Sequence, residues 1–176
     1  KNFRLMKSRY KICVSGAAAL TPCSANAAEM AKEVGREIAR QKMVLLTGAT
    51  TGIPHYAALG CKEENGFSIG FSPAGSEKEH LKTYRLPLDY YDLVIYTGFD
   101  YAGRNLILTR SSDGVIIICG RIGTLNEFTS AFEYQKPIGV LEGSGGNADM
   151  IRKILAKGHR GKKNVIFDRD PRRLVR

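Results

Sequence analysis

Short β-branched runs alternate with amphipathic stretches along the whole chain. The run at 12–16 reads as a strand ending in Ser15-Gly16. Residues 25–41 then read as a helix, with Ala28, Ala31, Val34, Ile38 and Ala39 on one stripe and Asn26 and Glu29 spaced as a capping box. A strand at 44–47 leads through Gly48-Ala-Thr-Thr-Gly52 into a helix over 54–64, where Pro54 suits a first turn. Strands are predicted at 66–71, 92–96, 113–118, 137–141 and 164–167, and helices at 76–80, 103–110, 124–134 and 149–157. The run at 113–118 is the most apolar, as in a central parallel strand covered on both faces. This alternation predicts an α/β protein of Rossmann-like, three-layer form: a mostly parallel sheet with right-handed crossovers and helices on both faces. With no linker, low-complexity tract or repeat, residues 1–176 are expected to form one domain. Ligands of such sheets bind beyond the C-terminal ends of the strands. Four of those loops are glycine-rich: Ser15-Gly16, 48–52, 98–103 and 120–123.

Composition adds constraints. Hydrophobic residues make up 43% and charged residues 25% of 176, which excludes collagen, coiled coil and wholesale disorder. The formal net charge of +10 points at first to nucleic acid or an anionic membrane. Its distribution changes that picture. Five basic residues stand in 1–11, and ten against two acidic ones in 152–176; the body between holds 12 basic and 15 acidic residues. Basic ends of this kind read as solvated faces, and no basic–aromatic stacking surface accompanies them. Nucleic acid is therefore not the expected partner. Cys13, Cys23, Cys61 and Cys119 form no close pair, and Cys13 and Cys119 sit in apolar runs. Reduced thiols in a cytoplasmic protein are expected. No apolar run is long enough to cross a membrane.

The motifs narrow the chemistry. No Gly-x-Gly-x-x-Gly follows the first strand, and no P-loop, nucleophile elbow or His-Glu-x-x-His occurs. His55, His80 and His159 are scattered, so no metal set is expected. What stands out is Cys119-Gly-Arg-Ile-Gly-Thr-Leu-Asn-Glu127, a buried strand running into a glycine turn and a helix. Free amides and the positive dipole end of that helix make a phosphate site of Gly120, Arg121, Ile122, Gly123 and Thr124. The competing account is a capping box, Thr124 with Glu127, which needs no ligand. Arg104, placed at the start of the preceding helix, opposes the helix dipole there and so calls for a local partner. A surface salt bridge would satisfy it; a cleft shared with Glu127 would suit a phosphorylated sugar.

The stretch from Arg104 to Glu127, with Gly120, Gly123, Thr124 and Glu127 spaced as Gly-x-x-Gly-Thr-x-x-Glu, resembles the LONELY GUY (LOG) family. Gly48-Ala-Thr-Thr-Gly52-Ile53 is similar to that family's earlier glycine loop, and Lys136-Pro137-Ile138 to its next strand entry; the likeness covers most of 11–145. These proteins are nucleotide phosphoribohydrolases, long labelled possible lysine decarboxylases. The resemblance implies cleavage of a nucleoside 5′-monophosphate to free base and ribose 5-phosphate, without cofactor or metal. Glu127 would support the oxocarbenium-like sugar and orient water, and Arg104 would position substrate and favour the departing base. Gly120, Arg121, Ile122, Gly123 and Thr124 would hold the phosphate, with Gly48, Thr51, Gly52, Ser15 and Gly16 lining the other side. It also implies a homodimer with pockets near the interface. Nothing in the chain points to a lysine placed for a pyridoxal Schiff base.

Two departures stand beside the likeness. The family's Pro-Gly-Gly is Cys119-Gly120-Arg121 here, and its Arg-Lys pair is Arg104-Asn105. Arg121 could bind phosphate, fill the pocket or reach solvent. These changes resemble a short branch of the superfamily that is also similar to the molybdenum-cofactor carrier protein, which binds a pterin phosphate without hydrolysing it. A non-hydrolytic carrier of a nucleotide or phosphorylated cofactor is thus the alternative expectation.

Overall fold

The expected alternation is present in a computed structural model that describes residues 9–161 and 164–176. In chain order the elements are β1 (Lys11–Gly16), α1 (Ala27–Arg40), β2 (Val44–Thr47), α2 (Ile53–Glu63), β3 (Phe67–Ser72), α3 (Glu77–Lys82), β4 (Leu93–Tyr96), α4 (Asp100–Ser111), β5 (Gly114–Ile118), α5 (Ile122–Glu133), β6 (Ile138–Leu141), α6 (Ile151–Lys157), β7 (Val165–Asp168) and α7 (Pro171–Val175). The strands pair as one sheet in the order β4-β3-β2-β1-β5-β6-β7, and every pairing is parallel. The chain winds outward from β1 to β4, then returns to the other side of β1 with β5. That reversal opens a crevice at the C-terminal ends of β1 and β5.

Period-2 alternation sends successive strand residues to opposite faces of the sheet. Val14, Leu45 and Ile116 pack under α1, α2 and α7, with Ala31, Val34, Ile38, Ile53 and Leu174. Cys13, Leu46 and Ile117 pack under α4, α5 and α6, with Leu108, Phe128 and Ile151. All five residues of β5 are buried, as a strand covered on both faces requires. The architecture is a three-layer, Rossmann-like α/β fold.

Several expected boundaries move, each for a local reason. Helix α4 begins at Asp100, so Arg104 lies in its second turn rather than at its start. Helix α5 begins at Ile122 with Arg121 as its N-cap residue, so Thr124 and Glu127 both lie inside it and form no capping box. The Asn26–Glu29 box does not form either: Asn26 makes no capping bond, its Oδ1 accepts from Ser24 Oγ, and Glu29 pairs with Arg36. Helix α7 was not expected. Asp170 caps it by accepting from the amides of Arg172 and Arg173, and Pro171 fills its first turn.

Helix α7 adds ion pairs to the basic C-terminal end. Arg172 reaches Glu33 at 2.7 Å and Arg176 reaches Glu37 at 2.9 Å, tying α7 to α1. Arg173 pairs with Asp168, and Arg152 with Glu142. These arginines remain largely exposed, as a solvated face requires, while their ion pairs also fasten this end to α1 and β7. Lys1, Arg4, Lys7, Lys162 and Lys163 lie outside the described residues. No helix among the described residues is long and apolar enough to cross a membrane.

The four cysteines do not all remain thiols. Cys23, in the loop after β1, is disulfide-bonded to Cys119, directly after β5, across 96 residues of sequence. The expectation of four reduced thiols fails because the reversal between β1 and β5 makes neighbours of two loops distant in the chain. Cys13 and Cys61 are free and buried; burial pushes the Cys13 thiol well up and the Cys61 thiol up to about 12, so neither is a ready nucleophile.

Candidate functional site

The crevice holds a cleft of about 430 Å³. Its floor is the end of β1, Val14 to Gly16, continuing through Ala17 and Ala18. Its walls are Gly48, Thr50 and Pro54 on one side, Tyr101, Arg104 and Asn105 of α4, and Arg121, Gly123, Thr124 and Glu127 of α5.

Glu127 is drawn into this cleft from the second turn of α5. It is only 6% exposed, and its Oε2 accepts a hydrogen bond from the buried Ser15 hydroxyl. Burial raises the pKa of its carboxyl above the ordinary carboxylate value, against the opposing pull of Arg104 and the Ser15 bond.

Arg104 is 5% exposed and held from three sides. Its Nη1 donates to the carbonyls of Gly48 and Phe71, the latter at 2.8 Å, and its Nε donates to Asn105 Oδ1 at 3.1 Å. Asn105 in turn donates to Asn126 at 3.2 Å, which links this arginine to α5. The asparagine that replaces the expected lysine therefore acts as a support for the guanidinium. Gly48 is needed for this approach, since a Cβ there would collide with Nη1. The arginine thus has its local partners in the loop after β2, at the end of β3 and beside it on α4, not in a surface salt bridge.

The phosphate-type loop is shaped by its neighbours. Cys119 and Gly120 both take positive φ, +55° and +97°, and a Cβ on Gly120 would collide with the Thr124 side chain. The Cys119 amide donates to Ser144 Oγ at 2.8 Å, while the carbonyls of Cys119 and Gly120 accept from the amides of Ala148 and Asn147. The disulfide adds the loop after β1 to this arrangement. A glycine loop after β6, Gly143 to Gly146, therefore backs the site; its Gly-Ser-Gly-Gly composition was the signal for it. The turn sets α5 so that the amides of Gly123 and Thr124 have no acceptor among the described residues, as expected of a helix start without a side-chain cap. Gly123 lines the cleft, and a Cβ on it would meet nothing closer than Asn105 Nδ2 at 4.0 Å.

Of the residues named from sequence, Ser15, Gly16, Gly48, Arg104, Arg121, Gly123, Thr124 and Glu127 line this one cleft. Gly120, Ile122, Thr51 and Gly52 do not. Gly120 sets the turn, and Ile122 is 78% exposed. Thr51 donates its hydroxyl to the Ala18 carbonyl at 3.0 Å, and Gly52 at φ +70° starts α2. Thr50, inside the 48–52 loop singled out from sequence, lines the cleft as well, whereas sequence reasoning named no role there for Val14, Ala17, Ala18, Pro54 or Tyr101. Among the described residues no three His, Cys, Asp or Glu converge as metal ligands would. His80 is buried between Ser72 Oγ at 2.8 Å and the Pro87 carbonyl at 3.1 Å, an internal brace for residues 72–87.

The SLOG cluster4 family profile matches residues 9–175. An uncharacterized protein of Archaeoglobus fulgidus is 29% identical over 120 residues, 68% of this chain and 74% of its own length. Among solved structures, the structural-genomics target TM1055 superposes with a TM-score of 0.79 at 24% identity, covering 92% of this chain and 94% of that one. The molybdenum cofactor carrier protein of Chlamydomonas reinhardtii superposes with a TM-score of 0.73 at 28% identity, covering 93% and 92%. DNA processing protein A of Streptococcus pneumoniae shares the fold at 20% identity and a TM-score of 0.68, covering 95% of this chain and 60% of that one.

Proposed function

The chain belongs to the SLOG cluster4 family, and from that premise we propose that it binds a phosphorylated ligand of the nucleotide class and hydrolyses the N-glycosidic bond of a nucleoside 5′-monophosphate. One observation carries this reading: a buried carboxyl, Glu127, shares a cleft with the unpartnered amides that open its own helix. Those amides, the helix dipole and the Thr124 hydroxyl suit a 5′-phosphate. A carboxyl is a poor companion for an anion alone, because its own charge repels it. It is well suited to a sugar that becomes cationic.

In this mechanism the phosphate sits on Gly123 and Thr124, bringing the ribose beside Glu127. Ionised Glu127 stabilises positive charge growing at the anomeric carbon and takes a proton from the attacking water. The N-glycosidic bond breaks toward the base, which leaves with the electron pair and takes a proton from solvent; water's oxygen completes ribose 5-phosphate, and the proton it gave to Glu127 returns to solvent. Arg104, anchored through Nη1 and Nε, presents the rest of its guanidinium to the ligand and favours the departing base. Positioning and electrostatics supply the catalysis, so no cofactor is called for. The test is incubation of purified protein with AMP, GMP, CMP and cytokinin nucleotides. Release of free base from at least one is the expected result.

A second reading is a carrier that binds without turnover. It is favoured by 28% identity to the molybdenum cofactor carrier protein over more than nine-tenths of both chains, and by Arg121, a cation at the cleft rim where the hydrolase pattern has glycine. Binding without base release, together with a pterin found in the purified protein by mass spectrometry, would establish it. The homodimer belongs to the same proposal: Phe99 and Ile122, at the starts of α4 and α5, and Leu106, midway along α4, are exposed apolar side chains. Light scattering that gives a monomer would remove it. Nucleic acid has no part in this proposal, since Arg172, Arg173 and Arg176 are engaged in ion pairs; tight binding that weakens steeply with salt would overturn that exclusion.

A further inference from the structure

We infer that Tyr101 is a stacking platform for a planar heteroaromatic ring carried by the ligand. Tyr101 has this role only if the cleft is the phosphorylated-ligand site proposed above.

The cleft lining divides by chemistry. Ser15, Arg104, Thr124 and Glu127 bring polar groups, whereas Ala17, Ala18 and Pro54 bring only apolar side chains. Tyr101 is the one aromatic side chain among the lining residues. It stands three residues before Arg104 on α4, a spacing that puts both on one helix face. Their exposures differ sharply: Arg104 is 5% exposed and Tyr101 is 45%.

Tyr101 is nonetheless braced. The Tyr84 ring meets it edge-on, with centroids 5.6 Å apart and planes at 80°. Tyr84 Oη donates to Asp100 Oδ1, the same oxygen that accepts from the Tyr101 amide at 2.9 Å. The Arg104 guanidinium carbon lies 5.7 Å from the Tyr101 ring centroid, a cation–π arrangement. An aromatic ring braced by Tyr84 and Arg104, yet 45% exposed and lining a cleft, is preorganised for stacking. A ribosyl phosphate has no flat apolar face to use it. A nucleobase or a pterin has one, and both are commonly joined to phosphate. The shared chemistry is thus a planar nitrogen heterocycle attached to a phosphorylated chain.

The test is calorimetric titration of the wild-type protein, Tyr101→Ala and Tyr101→Phe with three probes. Formycin 5′-monophosphate carries a purine-like ring on a carbon–carbon glycosidic bond that cannot be hydrolysed, neopterin monophosphate carries a pterin, and ribose 5-phosphate carries no ring. Tyr101→Ala should weaken at least one ring-bearing probe by about tenfold or more while changing ribose 5-phosphate less than twofold, and Tyr101→Phe should restore the loss. The ring that responds identifies the source. Equal weakening of all three probes, or no weakening of any, overturns the platform but leaves the phosphate site intact. Wild-type protein that binds ribose 5-phosphate as tightly as either ring compound does the same. Wild-type protein that binds none of the three overturns the functional proposal, and the platform with it.

Discussion

Glu33 and Glu127 are both glutamates set near arginines, and the protein treats them in opposite ways. Glu33, on α1, accepts from Arg36, Arg40 and Arg172 at 2.7 to 2.9 Å. Burial alone would raise its pKa, but these bonds prevail and hold it down to about 2. Glu127 has one bond, from a neutral hydroxyl, and its arginine neighbour gives Nη1 to backbone carbonyls instead. Burial prevails there and the pKa rises. Direct pairing on the α1–α2–α7 face discharges the electrostatic tension and locks helices together. In the cleft the tension is kept, which leaves a carboxyl and a guanidinium available to a ligand.

The comparison can be broken most sharply at Glu127. Glu127→Gln should lower base release on the order of 10²–10⁴-fold while leaving the melting temperature unchanged or higher, because a buried ionisable group is gone. A mutant with most of its activity would sink the mechanism. In the wild type, hydrolysis should rise with pH through a carboxyl pKa displaced above the ordinary range, since the ionised form is the active one. Stability runs the other way for this group. With its folded pKa raised, its contribution is fully present below the unfolded value near 4.5 and is lost as pH rises through the folded value.

Arg104→Met should cost both function and stability. The Gly48 and Phe71 carbonyls lose their shared donor, which on unpaired-acceptor costs amounts to about 2–4 kcal/mol. Chemical denaturation measures that loss, and a titration with ribose 5-phosphate measures the accompanying loss of affinity. An Arg104→Met protein of wild-type stability would show that those carbonyls do not depend on the guanidinium.

Cys23→Ser removes the link between the loops after β1 and β5. A loss of about 2–3 kcal/mol is expected, and the effect on ligand affinity should exceed that of any equally destabilising change on the α1–α2–α7 face. Equal affinities in two such variants would mean that the disulfide serves the fold alone.

Glu33→Gln should have the smallest effect, roughly 1 kcal/mol, because each of its pairs is partly solvated. Here the folded pKa is depressed, so the stabilisation is present above about 4.5 and is lost as pH falls toward about 2. Melting curves of mutant and wild type should converge over that interval. Activity per folded molecule should not change; a drop would mean that the two clusters are coupled through the sheet.

Much of the fold was legible before any coordinates. The strand runs, the covered strand at 113–118 and the helical stripe of α1 follow from period and composition, which local sterics and burial impose on any sheet of this kind. The boundaries that moved are those set by other elements. Arg104 looked like a helix-start residue because Gly103 reads as a loop, yet Gly98 and Asp100 take the left-handed turn and α4 begins earlier. Helix α7 carried a readable sign, Asp170-Pro171, that the basic composition around it obscured. The Thr124–Glu127 spacing fitted a cap equally well; the start of α5 at Ile122 puts both residues inside the helix, and the Ser15 hydroxyl holds Glu127 in the cleft.

By itself, then, the chain determined an α/β protein and a glycine turn opening a helix, because these depend on neighbours within a few residues. Only the tertiary structure decided that β5 lies beside β1, and with it the all-parallel order, the Cys23–Cys119 bond, the support of Arg104 by Gly48, Phe71 and Asn105, and the meeting of Tyr101 and Glu127 in the lining of one cleft. Strand order is chosen by how apolar faces pack over distances of tens of residues, and no local spacing encodes that choice.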